Sequence, residues 1–300
     1  MCAIRHVALA AVVVCLMASV TFGDFTTGFE APGYNGSAAG VQLTDILNGE
    51  VAAQQDWYCP AGDDYYVYTY ADNPFGMTAV NPTGGAQFAC GELPANSTTH
   101  ARGQHDDALT PGMPVLYGFD FNVKSLLEDP TLAPFSNAGS VSPQPSGDNF
   151  ISLFHRLGGD PPVNDPGVNY SYSINQIKDA AGADLGQQRI SETLLEDHWY
   201  RSEMIVDFDT NLVTKITLTD LATSLDIVVL TPADWYLAGG ATRTAGMPTS
   251  VRMFDFWAAD NTNMMAFDNL TVQSVPEPAT LCLLGALSVV SALRRRRRVA

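Results

Sequence analysis

Residues 115–123 read Val-Leu-Tyr-Gly-Phe-Asp-Phe-Asn-Val. Val115, Tyr117, Phe119, Phe121 and Val123 fall on alternate positions, with Gly118, Asp120 and Asn122 between them. Successive side chains of an extended chain point to opposite faces, so the stretch predicts a strand with one apolar and one polar face. Working outward, the stretch from Trp199 to Asn211 repeats the pattern. Tyr200, Met204, Val206 and Phe208 line one face, and Arg201, Glu203 and Asp207 the other. Asp207 to Asn211 then predicts a hairpin turn, because Asp and Asn side chains bond nearby backbone N–H groups. Further strands are expected at Tyr65–Tyr70, Phe150–His155, Tyr170–Ile177, Leu212–Thr219, Leu225–Leu230, Ser250–Trp257 and Met264–Val272. Segments 73–114, 130–149 and 158–169 are rich in Pro, Gly and Asn and are expected to be rim loops, and 260–263 a turn. Helical spacing is scarce; Leu185–His198 and Ser125–Asp129 have room for a turn or two. About ten strands of this kind predict an all-β, antiparallel two-sheet sandwich of the jelly-roll type.

The two ends stand apart from this body. Residues 1–23 have a basic start (Arg5, His6), an apolar run from Val7 to Val20, and the close Thr21-Phe22-Gly23. That is the pattern of a cleavable signal peptide with a helical core, and the run is shorter than the ~20 residues a membrane span needs. At the other end, Val275-Pro276-Glu277-Pro278-Ala279 is followed by an apolar stretch from Thr280 to Leu293 and by Arg294 to Arg298. The prolines dictate a stiff extended entry, the apolar stretch a short hydrophobic helix, and the cations a cytoplasmic end. This tail resembles the PEP-CTERM sorting signal of bacterial exported proteins. The resemblance implies an exosortase-type processing enzyme as partner, acting at Pro276, Glu277 and Pro278. Transient membrane insertion of the helix follows, held by Arg294, Arg295 and Arg296, with residence at the cell envelope, surface or extracellular matrix. The expected organisation is residues 1–23 signal peptide, 24–274 sandwich domain and 275–300 sorting tail.

With the ends removed, 31 acidic residues face 9 basic ones, a net charge near −22 for the body. Such a body repels phosphate backbones, which excludes nucleic acid as a partner. It also leaves only Cys59 and Cys90 in the body. An even pair in an exported chain is expected to form a disulfide, with two thiols or a metal site as the alternatives.

Gly28-Phe29-Glu30 opens the body, Gln55-Asp56-Trp57 and the Trp199 strand follow, and Phe267-Asp268-Asn269-Leu270-Thr271-Val272 closes it. In this order the motifs resemble the concanavalin-like and carbohydrate-binding-module jelly rolls. The resemblance implies that the first and last strands lie close, and that Glu30 and Asp268 help to hold a structural Ca²⁺. Two carboxylates would need backbone carbonyls or water to complete its six to eight oxygens. An Asp on the face of Leu270 and Val272 is costly unless a cation or a hydrogen-bond network compensates it.

Trp57, Tyr58, Tyr65, Tyr66, Tyr68 and Tyr70 cluster within 14 residues, and Trp235 and Tyr236 follow Pro232. Ring faces stack on sugars, so Trp57, Tyr58, Tyr66 and Trp235 are candidate glycan-binding residues, with core packing as the alternative for each. Enzyme templates fit poorly. There is no Gly-x-Ser-x-Gly elbow, no His-Glu-x-x-His helix and no phosphate-binding Gly-rich loop. Glu203 and Asp207 are the nearest imitation of a glycosidase pair, but along a strand they stand about 13 Å apart. His100 and His105 with Asp106 and Asp107 read as a solvated loop. The sequence therefore points to an exported, non-catalytic protein, glycan-binding or structural. The alternative is an extracellular polysaccharide hydrolase or lyase using Glu203 and Asp207.

Overall fold

The computed structural model describes residues 25–44, 54–59, 64–91, 100–106, 113–125, 136–145, 149–156, 168–243, 247–256 and 263–275. The signal peptide, Pro276 to Arg298, the 126–129 segment and the 260–262 turn lie outside the described residues.

Fifteen strands are described. They are β1 (Phe25–Thr27), β2 (Val41–Gln42), β3 (Tyr65–Thr69), β4 (Gln87–Gly91), β5 (His100–Asp106), β6 (Val115–Ser125), β7 (Ser136–Gln144) and β8 (Ile151–Arg156). After them come β9 (Val168–Lys178), β10 (Asp184–Leu195), β11 (Trp199–Asp207), β12 (Leu212–Asp220), β13 (Leu225–Leu230), β14 (Ser250–Phe256) and β15 (Asn263–Ser274). Nine form one sheet, ordered β13-β12-β11-β6-β15-β4-β3-β2, with β1 also paired to β15. Six form the second, ordered β10-β9-β8-β7-β14-β5. Every ladder between named strands is antiparallel, as expected for sheets that each keep one face away from the core.

The alternation in 115–123 sets the core. Val115, Tyr117, Phe119, Phe121 and Val123 are all buried against the second sheet. Phe121 meets Phe154 of β8 at 4.4 Å, and Phe154 stacks on Tyr172 of β9 at 4.7 Å. The Tyr172 hydroxyl bridges the sheets, 3.2 Å from Ser152 Oγ and 2.8 Å from Ser202 Oγ. Burial pushes that phenol up to about 12, so it stays a neutral hydrogen-bonding group.

Several expectations are corrected. Residues 184–195 form β10 rather than a helix: the ladder to β9 carries repeated register shifts, which scramble the period of the side chains. The segment expected as a long rim loop at 73–114 contains β4 and β5, and 130–149 contains β7. β5 is the stretch His-Ala-Arg-Gly-Gln-His-Asp, whose small and polar side chains hide its strand character. His105 is no solvated residue either: its ring stacks on Phe25 at 4.0 Å.

Candidate functional site

β15 changes partner along one edge. Phe267 pairs with Ala89 of β4, whereas Leu270 to Val272 pair with β1. A register shift against β6 falls between Asp268 and Thr271, and Asn269 takes φ +46° there. Into the gap come Glu30, three residues beyond β1, and the Gly84-Gly85 turn that precedes β4. A Cβ on Gly84 would collide with the Asp268 carboxylate, and one on Gly85 with that of Glu30. The structure thus brings Glu30 and Asp268 together, and adds Asp120, directly opposite Asp268 in the ladder.

Protein groups already occupy these carboxylates. Glu30 accepts the N–H groups of Ala86 (3.1 Å) and Gln87 (2.9 Å). Asp268 accepts Asn81 Nδ2 at 3.0 Å and the Asn269 N–H at 2.8 Å. Asp120, fully buried, takes a two-pronged contact from Arg201, Nε at 2.7 Å and Nη2 at 3.0 Å. It also accepts Thr83 Oγ1 at 2.7 Å, Asn269 Nδ2 at 2.7 Å and Asn81 Nδ2 at 2.9 Å. Burial, with the negative charges of Asp120 and Glu30, pushes the Asp268 carboxyl up to about 8. The charge would suit a cation, but the lone pairs point at protein donors. Among the described residues no three His, Cys, Asp or Glu side chains come close enough to hold a metal ion. Arg201 on Asp120 and the raised Asp268 carboxyl are the charge compensation that the cluster holds within the protein.

The cluster also fastens a lid of chain. Asp197 accepts the Thr78 N–H at 3.0 Å, the Thr78 hydroxyl at 2.6 Å and the Ala79 N–H at 3.2 Å. Trp199 Nε1 donates to Ala79 O at 2.7 Å. Residues 73–86 are so pinned over the polar face of β6 and β11, which is why Asp120 and Asn122 are buried on a face the sequence assigned to solvent.

The four aromatic candidates separate. Trp57 is fully buried among Phe25, Phe29 and His105, and its Nε1 donates to Tyr34 Oη at 3.2 Å, so it is core. Tyr66 and Trp235 are partly buried against the core edge. Tyr58 is different: it bridges β5 at Gln104 through two 2.9 Å backbone bonds and reaches the outer face of the six-stranded sheet. There its hydroxyl donates to Asp106 at 2.9 Å and accepts Gln104 Nε2 at 2.6 Å. Gln104 also donates to Ser250 Oγ at 2.7 Å and accepts Arg252 Nε at 2.9 Å. On β7 the same face carries Ser140, Ser142 and Gln144. The row beside them runs Arg102, Phe254, Ser140, Leu153, Ser173 across β5, β14, β7, β8 and β9. Of this face the sequence singled out Tyr58, and Asp106 only as part of a solvated loop; Arg102, Gln104, Ser140, Ser142 and Gln144 were hidden because β5 and β7 were read as loops.

The expected disulfide is not formed. Cys59 and Cys90 are separate, buried thiols. Cys90 sits mid-strand in β4 and points inward, its Sγ 3.7 Å from Asp255 Oδ2 of β14, whereas Cys59 follows Tyr58 along the edge of β5. Glu203 and Asp207 both lie on β11, Asp207 at its end. Asp207 accepts the Asp209 N–H (2.9 Å) and the Thr210 hydroxyl (2.7 Å), which closes the expected β11–β12 turn.

β15 ends at Ser274, and the Val275 N–H closes on Pro114 O at 2.7 Å. The chain leaves the body just before the Pro-Glu-Pro stretch. Residues 274–298 match the PEP-CTERM protein-sorting motif. The protein therefore carries the signal of exported proteins bound for the cell envelope or surface, and that motif implies processing by an exosortase-type system. No curated protein sequence matches the chain. Among solved structures, lectin I of Ulex europaeus in complex with a methyl fucoside is 11% identical, with 83% of this chain and 96% of that one covered at a TM-score of 0.45. A carbohydrate esterase of the Shiga toxin-encoding bacteriophage phi24B is 10% identical, covering 79% and 100% at 0.42. An alginate lyase of Aplysia kurodai is 8% identical, covering 85% and 100% at 0.33.

Proposed function

We propose that this PEP-CTERM-tailed protein is a non-catalytic glycan-binding component of the cell surface, and that its ligand lies across the outer face of the six-stranded sheet. The observation that carries this is the side-chain network Tyr58–Gln104–Ser250–Arg252, with the partly exposed Phe254 ring beside it. Fixed hydroxyl, amide and guanidinium groups read sugar hydroxyls by hydrogen bonding, and an aromatic ring covers a sugar's apolar face. The network is pre-ordered, so little side-chain freedom is lost on binding. Against hydrolysis stands the use of Asp207 as a turn acceptor, which leaves Glu203 without a second carboxylate on its strand.

The test is affinity electrophoresis of the full-length protein through gels holding a panel of polysaccharides. Retardation by at least one polymer is expected, with Tyr58→Ala and Phe254→Ala each weakening it about 10-fold, the scale of one lost stacking or hydrogen-bonding anchor. Retardation by none of the panel, or release of reducing ends that Glu203→Gln abolishes, would defeat the reading.

A further inference from the structure

We propose that Arg102 and Arg252 are an anion-reading pair, selecting a polysaccharide that carries carboxylate or sulfate groups; this rests on glycan binding at the same face. Arg252 of β14 lies opposite Gln104, and Arg102 lies opposite Phe254. The two guanidiniums are therefore diagonal neighbours on one face of an antiparallel pair, close enough for long side chains to meet. Their surroundings differ from those of three other cations, which have carboxylate partners. Acidic residues outnumber basic ones by 31 to 9 in the body, and other cations find them: Arg201 is 2.7 Å from Asp120, Lys178 is 3.4 Å from Asp184 and Lys124 is 3.6 Å from Asp197. Arg102 and Arg252 have no carboxylate partner among the described residues. Arg102 rests over the Phe254 ring at 4.9 Å, and its buried Nε makes no hydrogen bond. Arg252 uses Nε on Gln104, and among the described residues its terminal nitrogens meet no carboxylate. Burial first, and the Arg102 charge second, hold the Arg252 guanidinium below its usual pKa.

Two like charges placed side by side, partly desolvated, repel each other. In a chain with carboxylates to spare, leaving them unpaired is a cost that a bound anion removes. Guanidinium forks match the planar carboxylate and the sulfate oxygens, and the charged hydrogen bonds they make are the strong class. Phe254 lies under the Arg102 guanidinium at 4.9 Å, and Gln104, itself held by Tyr58 and Ser250, fixes that of Arg252. The Ser140–Ser142–Gln144 column beside them is buried, with Gln144 Nε2 on Ser142 Oγ at 2.8 Å, and forms a polar floor beneath the partly exposed arginines and Phe254.

The experiment measures binding of the full-length protein to polygalacturonate, to the same polymer fully methyl-esterified, to dextran sulfate and to plain dextran. The charged member of each pair is expected to bind more tightly. Arg102→Gln and Arg252→Gln should each weaken that binding about 10- to 100-fold and leave the neutral polymers untouched. Added salt should erode the difference. Arg102→Lys and Arg252→Lys keep the charge and lose the fork, so an intermediate loss is expected, and a single cooperative melting transition no lower than that of the wild type shows that the variants fold. Preference between polygalacturonate and dextran sulfate separates carboxylate from sulfate as the group read. Equal binding of charged and neutral polymers, unmoved by the arginine variants, would overturn the anion pair and leave glycan binding standing. No binding to any of the four would remove both. Equally tight, arginine-dependent binding of single-stranded DNA would overturn polysaccharide as the ligand.

Discussion

Raising the pH from 5 to 8 is expected to loosen this fold, and Asp255→Asn isolates the reason. Asp255 lies on the core side of β14 and is wholly buried, receiving the Gly91 N–H at 2.8 Å and the Cys90 thiol. Burial pushes its carboxyl up to about 8, against hydrogen bonds from Gly91 and Cys90 that pull the other way. In the unfolded chain the same group titrates near 3.9. Between those values the folded state keeps a proton that the unfolded state has released. Stability is then full below about pH 4 and falls as pH climbs toward 8, by up to about 1.4 kcal/mol per pH unit for this one carboxyl. Asp268, also pushed up to about 8, acts in the same direction. From pH 5 to pH 8 each group contributes a loss of up to about 4 kcal/mol, and for a body this size that is on the order of 10 °C in melting temperature. Asn is nearly isosteric, cannot ionise, and can still accept the Gly91 N–H through Oδ1. Scanning calorimetry at pH 5, 6, 7 and 8 should show the wild type melting progressively lower, and Asp255→Asn losing about half of that slope while matching the wild type near pH 5. A wild type that melts at the same temperature or higher at pH 8, or a variant that keeps the full slope, would refute the reasoning.

Arg201→Gln should destabilise the protein by about 3 kcal/mol, because it leaves the buried Asp120 carboxylate without its counter-charge, and urea unfolding measures it. Asp120→Asn in the Arg201→Gln background should recover most of that loss. Excess EDTA should move the melting temperature by less than about 1 °C, since Arg201 and the Asp268 proton already compensate the cluster; a rise of several degrees on adding Ca²⁺ would instead install the ion at Glu30 and Asp268. Cys59 and Cys90 should both take up a maleimide only after unfolding, and a mass 2 Da lower in the exported protein, the signature of the missing hydrogens of a disulfide, would contradict the separate thiols.

The strands with strict apolar alternation were legible from sequence: β6 and β11 came out with their predicted core faces, and β13 with the expected limits. The hairpin at 207–211 was legible for the same reason, as a local pattern with a local cause. What escaped were strands whose core-facing positions hold small or ionisable residues. β5 turns Ala101, Gly103 and His105 inward, and β7 turns Gly139 and Val141 inward, with Met265 against Gly139. Such strands fill narrow space between large neighbours, and no periodicity of bulk announces them. The same blindness hid most of the candidate site, since Arg102, Gln104, Ser140 and Ser142 become a surface only when β5 and β7 flank β14. The Glu30–Asp268 approach was anticipated through resemblance, but Asp120 and Arg201 were not, because a paired Asp and Arg on polar strand faces read as ordinary solvated residues.

The two polar strand faces of the sandwich met different fates, and the difference bears on which one is the working surface. Under the loop that covers β6 and β11 the buried charges have internal answers: Arg201 for Asp120, Lys124 and two backbone amides for Asp197, backbone amides for Glu30. A loop is drawn down over that face, and its glycines pack directly on the carboxylates. A surface so thoroughly satisfied offers an incoming molecule nothing that it does not already have. On β5 and β14 the polar groups are equally ordered but the charge is not cancelled: Gln104 and Tyr58 hold Arg252 in place without neutralising it, and Phe254 does the same for Arg102. Order without neutralisation costs stability in the isolated protein, and binding an anion recovers it. If the pair served only the fold, replacing both arginines by glutamine would relieve their repulsion and raise the melting temperature while leaving every polysaccharide affinity where it was. A gain in stability accompanied by a loss of polyanion binding is the outcome that a working site requires.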